Sequence, residues 1–341
     1  MSKPPAANVV QTLKVGDDEA DQRLDRWFKR RFPALGHGKL EKLLRTGQVR
    51  VDGKRAKAAF RLEPGMEVRV PPLGDLAPAT DRPITQQPRV SKGDAEALRA
   101  SVLHRDDDVI VINKPPGLAV QGGTGTAHHL DAMLDALKFD KPDRPKLVHR
   151  LDRDTSGTLV LARTTVAARW LTAAFRARTT RKVYWSLVVG VPKIRQGRID
   201  IALSKLPGPR GEKMVGDEDE GKRAVTLYAV VEHAATKAAW LAMMPVTGRT
   251  HQLRAHAAAL NTPILGDGKY GGEAAFFRGP EGDGGRPRLH LHAREIEFIQ
   301  PNGRLLRVVA PLPPHMRSTW EFFGFDPNMS ADSFADLAEL R

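Results

Sequence analysis

The chain has 341 residues, 41% of them hydrophobic and 28% charged, which fits two globular domains and includes no apolar stretch long enough to span a membrane. It contains no cysteine, which excludes disulfides, thiolate metal sites and a cysteine nucleophile together. The formal net charge of +14 points to a polyanionic partner, for which nucleic acid is the usual candidate.

The opening residues MSKPPAANVV lack the charged-then-apolar pattern of a secretory signal. With the absence of cysteine, this gives an expectation of a cytoplasmic protein. The first domain is expected over 20–72. Leu24, Trp27, Phe28 and Phe32 share one helical face, and Leu40, Leu43 and Leu44 share another. Pro33 and the Gly36-His37-Gly38 stretch should separate the two helices. The apolar period then changes to two at Val49 and Val51, before an Asp52-Gly53 turn signal, and again at Met66, Val68 and Val70. Basic residues outnumber acids throughout, so a helix–helix–hairpin unit with a basic solvent face is expected.

Residues 73–100 are rich in proline and polar groups and read as a linker with one helical turn at its end. A larger domain should cover 101–322, with 323–341 a peripheral C-terminal tail. Its expected strands include Asp108–Asn113, Thr158–Leu161, Val183–Val189, Val225–Val231 and Ala239–Met243. Helical stripes run through Leu130, Met133, Leu134 and Leu137, through Val166, Trp170, Leu171, Ala174 and Phe175, and over His251–Leu260. Strands and helices mixed without regular alternation argue for α+β rather than a doubly wound sheet. Gly279–Gly285 reads as a surface loop.

The most informative run is LVHRLDRDTSGTLVLAR (147–163). It packs Asp152 among arginines in a short connection, and Gly157 permits close backbone approach where the run enters a strand. The histidines give no metal pattern. His251 and His256 are five apart, one too many for a helical zinc pair, and His290 and His292 alternate on a strand without accompanying carboxylates. With the His128-His129 pair, they read as structural or hydrogen-bonding groups. Gly122–Gly125 lacks the lysine and spacing of a nucleotide cradle and reads as a turn.

HRLDRDTSG resembles the HRLDxxTSG signature of the RluA family of pseudouridine synthases. VINKPPGLAVQGGTG, RKVYWSLVVG, PVTGRTHQLRAHAAALNTPILGDGKYG and LHLHAREIEF follow in that family's order, with Gln121 standing where histidine is expected. RLDRWFKRRFP, KLEKLLRTGQVRVDGKRAK and LEPGMEVRVP resemble the S4 RNA-binding domain. The resemblance is greatest to members acting on large-subunit ribosomal RNA. It implies a catalytic domain with a mixed, mainly antiparallel sheet flanked by helices, behind a small α/β domain.

By the same resemblance, Asp152 is the catalytic aspartate, and Arg150 fills the space that the flipped base leaves. Tyr184 lies against the uracil and assists proton removal. Arg254 pairs with Asp152, and Arg249 supports. In the first domain Lys39, Lys42, Arg45, Arg50, Lys54 and Arg55 face RNA. The reaction breaks the bond from ribose to uracil N1 and rejoins the base through C5, so it needs an ionised carboxylate but no cofactor and no metal. Whether Asp152 attacks the base, attacks the sugar or abstracts a proton stays open on these residues. No obligate protein partner is expected, and the chain reads as a monomer. The alternatives are an RNA-binding or ribosome-assembly factor without catalysis, and a metal-dependent phosphatase or nuclease.

Overall fold

The structure, a computed structural model, describes residues 9–16, 19, 22–73, 90–122, 128–206, 213–217, 219–277, 288–300, 302–329 and 334. The chain divides into two compact units, 1–87 and 88–341. Residues 74–89 of the expected linker lie outside the described residues, as do Gly123–Gly125 and the expected Gly279–Gly285 loop.

The first unit packs α1 (Leu24–Arg31) and α2 (His37–Arg45) on a four-stranded sheet. The strands are β1 (Gln11–Lys14), β2 (Arg50–Val51), β3 (Lys54–Arg55) and β4 (Glu67–Val70), in the order β1-β4-β2-β3. Leu24, Trp27, Phe28, Phe32, Leu40, Leu43 and Leu44 meet Val49, Val51, Val68 and Val70 in one buried cluster, as the two periodicities require. Asp52 and Gly53 turn the β2–β3 hairpin with φ of 46° and 73°, the left-handed pair that this tight turn demands. Pro33 and Gly36 lie between the two helices as expected, whereas His37 and Gly38 belong to the second helix. Gly36 is the N-cap of α2 and Gly38 lies in its first turn. Strand β1 carried no usable alternation and was missed.

In the second unit, α3 (Lys92–Ala100) begins at Ser91, whose hydroxyl accepts the Asp94 N–H. It buries Leu98 in the core of this unit, so the end of the expected linker is structural rather than a tether. A ten-stranded sheet follows. It is built from β5 (Val102–Arg105), β6 (Val109–Lys114), β7 (Lys146–Leu147), β8 (Ser156–Ala162), β9 (Arg181–Val189), β10 (Gln196–Asp200), β13 (Val225–Ala234), β14 (Ala238–Pro245), β15 (Leu291–Ile299) and β16 (Leu305–Val309). The path runs β10-β13-β14-β9-β15-β8-β6-β5, with β16 on β15 and β7 on β8. Every pairing is antiparallel except β15 with β8. A separate hairpin joins β11 (Leu203–Leu206) to β12 (Lys213–Gly216).

The helices cover the sheet. α4 (Leu130–Met133) passes into a 3-10 turn at Leu134–Leu137, so the expected helix there is broken, although all four of its leucine and methionine positions are buried. α5 (Thr165–Ala177) buries Ala167 and Leu171, while Val166, expected on that stripe, is 68% exposed. α6 is Gln252–Ala259, and α7 (Pro314–Phe323) drives Trp320 against Trp240, which in turn meets Trp185 edge to face. Phe325 and Phe334 join that aromatic cluster, so the tail is anchored rather than wholly peripheral. Along β9 the period of two sends Val183, Trp185 and Leu187 into this core and turns Lys182 and Tyr184 to the opposite face. That face carries the candidate site.

Candidate active site

Three segments meet around a cavity of about 310 Å³. The first is the loop from β7 into β8, which carries His149, Arg150, Asp152 and Thr155. The second is β9, with Lys182 and Tyr184. The third is the turn from β14 into α6, with Arg249, His251, Gln252 and Arg254.

The Asp152 loop is tied down along its whole length. The Thr155 N–H donates to the Asp152 carbonyl at 3.2 Å. Arg153 is laced to the turn after β6, its Nε donating to the Gly117 carbonyl at 3.1 Å and its own carbonyl accepting the Gly117 N–H at 2.9 Å. Beneath it, fully buried Lys114 donates from Nζ to the carbonyls of Pro115, Leu118 and Arg153, each at 2.9 Å. Burial pulls this ammonium down to about 8, against the opposing charges of Asp154 and Asp152. The three surrounding carbonyls use all its hydrogens and favour the charged form. Ser156 Oγ lies 2.9 Å from His292 Nδ1, and the other nitrogen of that ring faces the Ala310 carbonyl. Gly157 has φ of 109°, and a Cβ there would run into the Ala293 backbone, so β8 and β15 can adjoin only because this residue is glycine. The close approach read from the sequence is realised against β15.

His149 stacks on Phe175 at 4.3 Å, and its Nε2 accepts the Val160 N–H at 2.9 Å. Burial, with the Lys182 charge adding, lowers its pKa to about 3. It is a neutral structural ring. Arg150 is exposed beside it at the cavity wall, and the Asp152 side chain keeps 28% of its surface open.

Tyr184 bridges two apolar clusters with its ring facing the cavity. Burial raises its pKa far above the ordinary phenol value, and the Asp152 charge adds to that. The residue therefore presents a phenol, not a phenolate, and the expected help with proton removal cannot begin from an ionised oxygen. Lys182 lines the same wall, its pKa lowered by burial and by the charge of Arg178.

The expected Arg254–Asp152 pair is corrected. Arg254 binds Asp267 through two hydrogen bonds, Nε to Oδ2 at 2.8 Å and Nη2 to Oδ1 at 2.6 Å, and both side chains are buried. Burial would lower the arginine's pKa, but the Asp267 bonds, together with the charges of Asp267 and Asp152, raise it. Its field thus reaches Asp152 without a direct bond. A folded guanidinium needs a fixed partner at all times, and Asp267 fills that place while Asp152 stays available. Arg249 lines the cavity, with its Nε held by the Arg223 carbonyl at 3.1 Å.

Sequence reading missed His251, Asp267, Tyr270, Gln252 and Lys182. Nε2 of His251 is 4.0 Å from Asp152 Oδ2, although this histidine was read as structural. Gln252 satisfies its whole amide: Oε1 accepts from Thr247 Oγ1 and the Arg249 N–H, while Nε2 donates to the Val225 carbonyl and Thr226 Oγ1. It pins the turn that presents His251. A second cavity of about 670 Å³ shares His251 and Arg254 and adds Lys269, Arg288 and Asp154 to its lining. No group of three or more potential metal ligands occurs among the described residues. No helix of the described residues is long and apolar enough to cross a membrane.

In the first unit, Lys39, Lys42, Arg45, Arg50, Lys54 and Arg55 are all exposed. Arg50 sits directly across from Arg55 on β3 and from Arg69 on β4. Like charges opposite one another on a sheet are unfavourable alone and become favourable against a polyanion.

Comparison with known proteins agrees with this geometry. Residues 108–259 match the RNA pseudouridylate synthase family, and residues 22–68 match the S4 domain. The chain is 34% identical over 315 residues to a ribosomal large subunit pseudouridine synthase C of Salmonella typhi, covering 92% of this chain and 96% of that protein. It is also 34% identical to the mitochondrial RNA pseudouridine synthase 4 of Arabidopsis thaliana, covering 90% of this chain and 80% of that one. The solved structure of human RNA pseudouridylate synthase domain containing 4 superposes with a TM-score of 0.55 at 30% identity, covering 68% of this chain and 96% of that one. With the mixed sheet, the S4 unit and nearly the full length of such relatives accounted for, the chain belongs to the RluA-type RNA pseudouridine synthases.

Proposed function

We propose that this enzyme isomerises uridine to pseudouridine at defined positions of large-subunit ribosomal RNA, with Asp152 acting on the target nucleotide. The observation that carries the assignment of Asp152 is its position. It is a partly open carboxylate on a loop laced to two strands, facing a cavity whose opposite wall presents an aromatic ring. The choice of RNA follows the relatives that are named for the large ribosomal subunit. An enzyme reading displaces both the RNA-binding factor without catalysis and the metal-dependent hydrolase.

The target uridine must leave its stack, at a cost of about a few kcal/mol. Arg150, exposed at the cavity wall, is suited to occupy the gap. Inside, the Tyr184 face holds the uracil, and base–aromatic stacking contributes roughly 1–3 kcal/mol. Asp152 acts on the nucleotide while the N1–C1′ bond breaks; the base turns, C5 bonds to C1′, the C5 proton is lost and N1 takes up a proton, so the product is an isomer of the substrate. Arg254 and Arg249 supply positive potential around the carboxylate and the RNA backbone. In the S4 unit, Lys39, Lys42, Arg45 and the Arg50, Lys54 and Arg55 hairpin hold structured RNA through its phosphates. The work is placed in the cytoplasm, where ribosomal RNA would be met.

The test is carbodiimide mapping of pseudouridine in ribosomal RNA from cells lacking the protein, complemented with wild type or Asp152→Asn. Sites that return only with wild type support both substrate and residue. In vitro, Asp152→Asn should lower turnover by about 1,000-fold or more while RNA affinity stays near wild type. Turnover retained in that variant removes Asp152 from the chemistry, and an unchanged ribosomal map removes the substrate.

A further inference from the structure

His251 is held in an unusual way. It has φ of 50° and ψ of 20°, the left-handed region that a non-glycine residue adopts only under strain. The strain places its ring between the two cavities, with Nε2 turned to Asp152 and Nδ1 at 3.0 Å from the Tyr270 hydroxyl. That hydroxyl already accepts the Met214 N–H at 2.9 Å. A phenol oxygen with a donor already on it still has its own hydrogen to place. If His251 also donated from Nδ1, two donors would point at one oxygen and the phenol hydrogen would find no protein acceptor among the described residues. With Tyr270 donating to a bare Nδ1, all three groups of this chain are satisfied at once.

We infer that Tyr270 and His251 are positioning residues for this reaction: the hydrogen-bond chain from Met214 N–H through Tyr270 to Nδ1 fixes the imidazole as the Nε2–H tautomer and aims that N–H at the Asp152 carboxylate. The opposite tautomer would set a nitrogen lone pair against the carboxylate oxygens. A protonated ring would pair with Asp152 as an ion and hold it away from substrate. Burial lowers the pKa of His251, with Arg254 and Lys269 adding to that effect while Asp152 and Asp267 oppose it, so the ring is a neutral donor. The separation of 4.0 Å leaves room for the carboxylate to shorten the contact when substrate enters. Tyr270 serves the other side as well: its ring lies 5.0 Å from the Arg254 guanidinium, and its N–H donates to Asp267 Oδ1 at 3.2 Å. One residue thus registers His251 and Arg254 together.

The inference rests on Asp152 as the catalytic carboxylate, and its test is independent of activity. Nitrogen-15 NMR of the histidine-labelled full chain at pH 8 reads the tautomer directly, with His251→Gln identifying the His251 signals. The expected spectrum has a pyrrole-like Nε2 and a pyridine-like Nδ1, and Tyr270→Phe, which keeps the ring over Arg254, abolishes that preference. The same variant should lower kcat by about tenfold with KM unchanged, the value of one hydrogen bond. An Nδ1–H ring or an imidazolium in wild type overturns the relay, as does a tautomer that persists in Tyr270→Phe. Full turnover by Asp152→Asn would instead overturn the catalytic reading and leave the tautomer result standing.

Discussion

At the scale of single residues, the site is organised by which charges are already committed. Arg254 is bound to Asp267 on both of its inward nitrogens, and neither side chain has appreciable contact with solvent. Removing the charge of Asp267 leaves a buried guanidinium uncompensated, which costs about 3–5 kcal/mol in such pairs. Asp267→Asn should therefore lower the stability of the second unit by roughly 3 kcal/mol in urea unfolding, because the amide retains one acceptor. It should also draw Arg254 towards Asp152, whose charge already acts on it, and lower kcat. If Asp267→Asn unfolds like wild type, the pair is not what holds Arg254. Tyr184 follows the same logic in the neutral direction. Its burial and the Asp152 charge both resist ionisation, so the face of its ring and its O–H are what it offers.

At the scale of elements, catalysis depends on how strand ends are joined. The turn after β6 and the Asp152 loop lie at the same end of two paired strands, where Lys114 stands across from Gly157, and Lys114 and Arg153 tie them together through backbone carbonyls. Lys114→Met keeps a flexible apolar stem but strands the carbonyls of Pro115 and Leu118 and leaves that of Arg153 with the Gly117 N–H alone. The expected loss is about 3 kcal/mol or more in urea unfolding, with turnover falling further than the folded fraction explains. A variant with both properties intact would show that the loop is held by Gly157 and Thr155 alone. Nothing in the NKPPG run of the sequence indicates that its lysine points inward.

At the scale of the whole molecule, the second unit buries several neutral histidines. Burial lowers His149, His290 and His292 to about 3 and His256 to about 4. In the unfolded chain each titrates near the ordinary value of about 6.5. Between those values the unfolded state binds more protons than the folded one, so stability is full above about pH 6.5 and is lost as pH falls towards 4. Thermal unfolding should show a midpoint that is flat from pH 7 to 8 and drops steeply below 6. A midpoint unchanged down to pH 4.5 would mean that these rings are charged in the fold.

The sequence by itself determined what depends on near neighbours. The α1 and α2 stripes, the Asp52-Gly53 hairpin, a strand over Val183–Val189, and the glycine after the Asp152 loop were all legible. Each is a local consequence of helical or strand period or of backbone freedom. Tertiary structure decided the parallel junction of β8 with β15, the addition of β1 to the first sheet, and the break between α4 and its 3-10 turn. It also decided the partner of Arg254 and the surroundings of His251. Asp267 is 13 residues from Arg254, and Tyr270 is 19 from His251. No period links those positions, so only the path of the chain between α6 and β15 brings them together. Asp152 stands out in one short run of the sequence, while the neighbours of Arg254 and His251 are set only once the chain has folded back on itself.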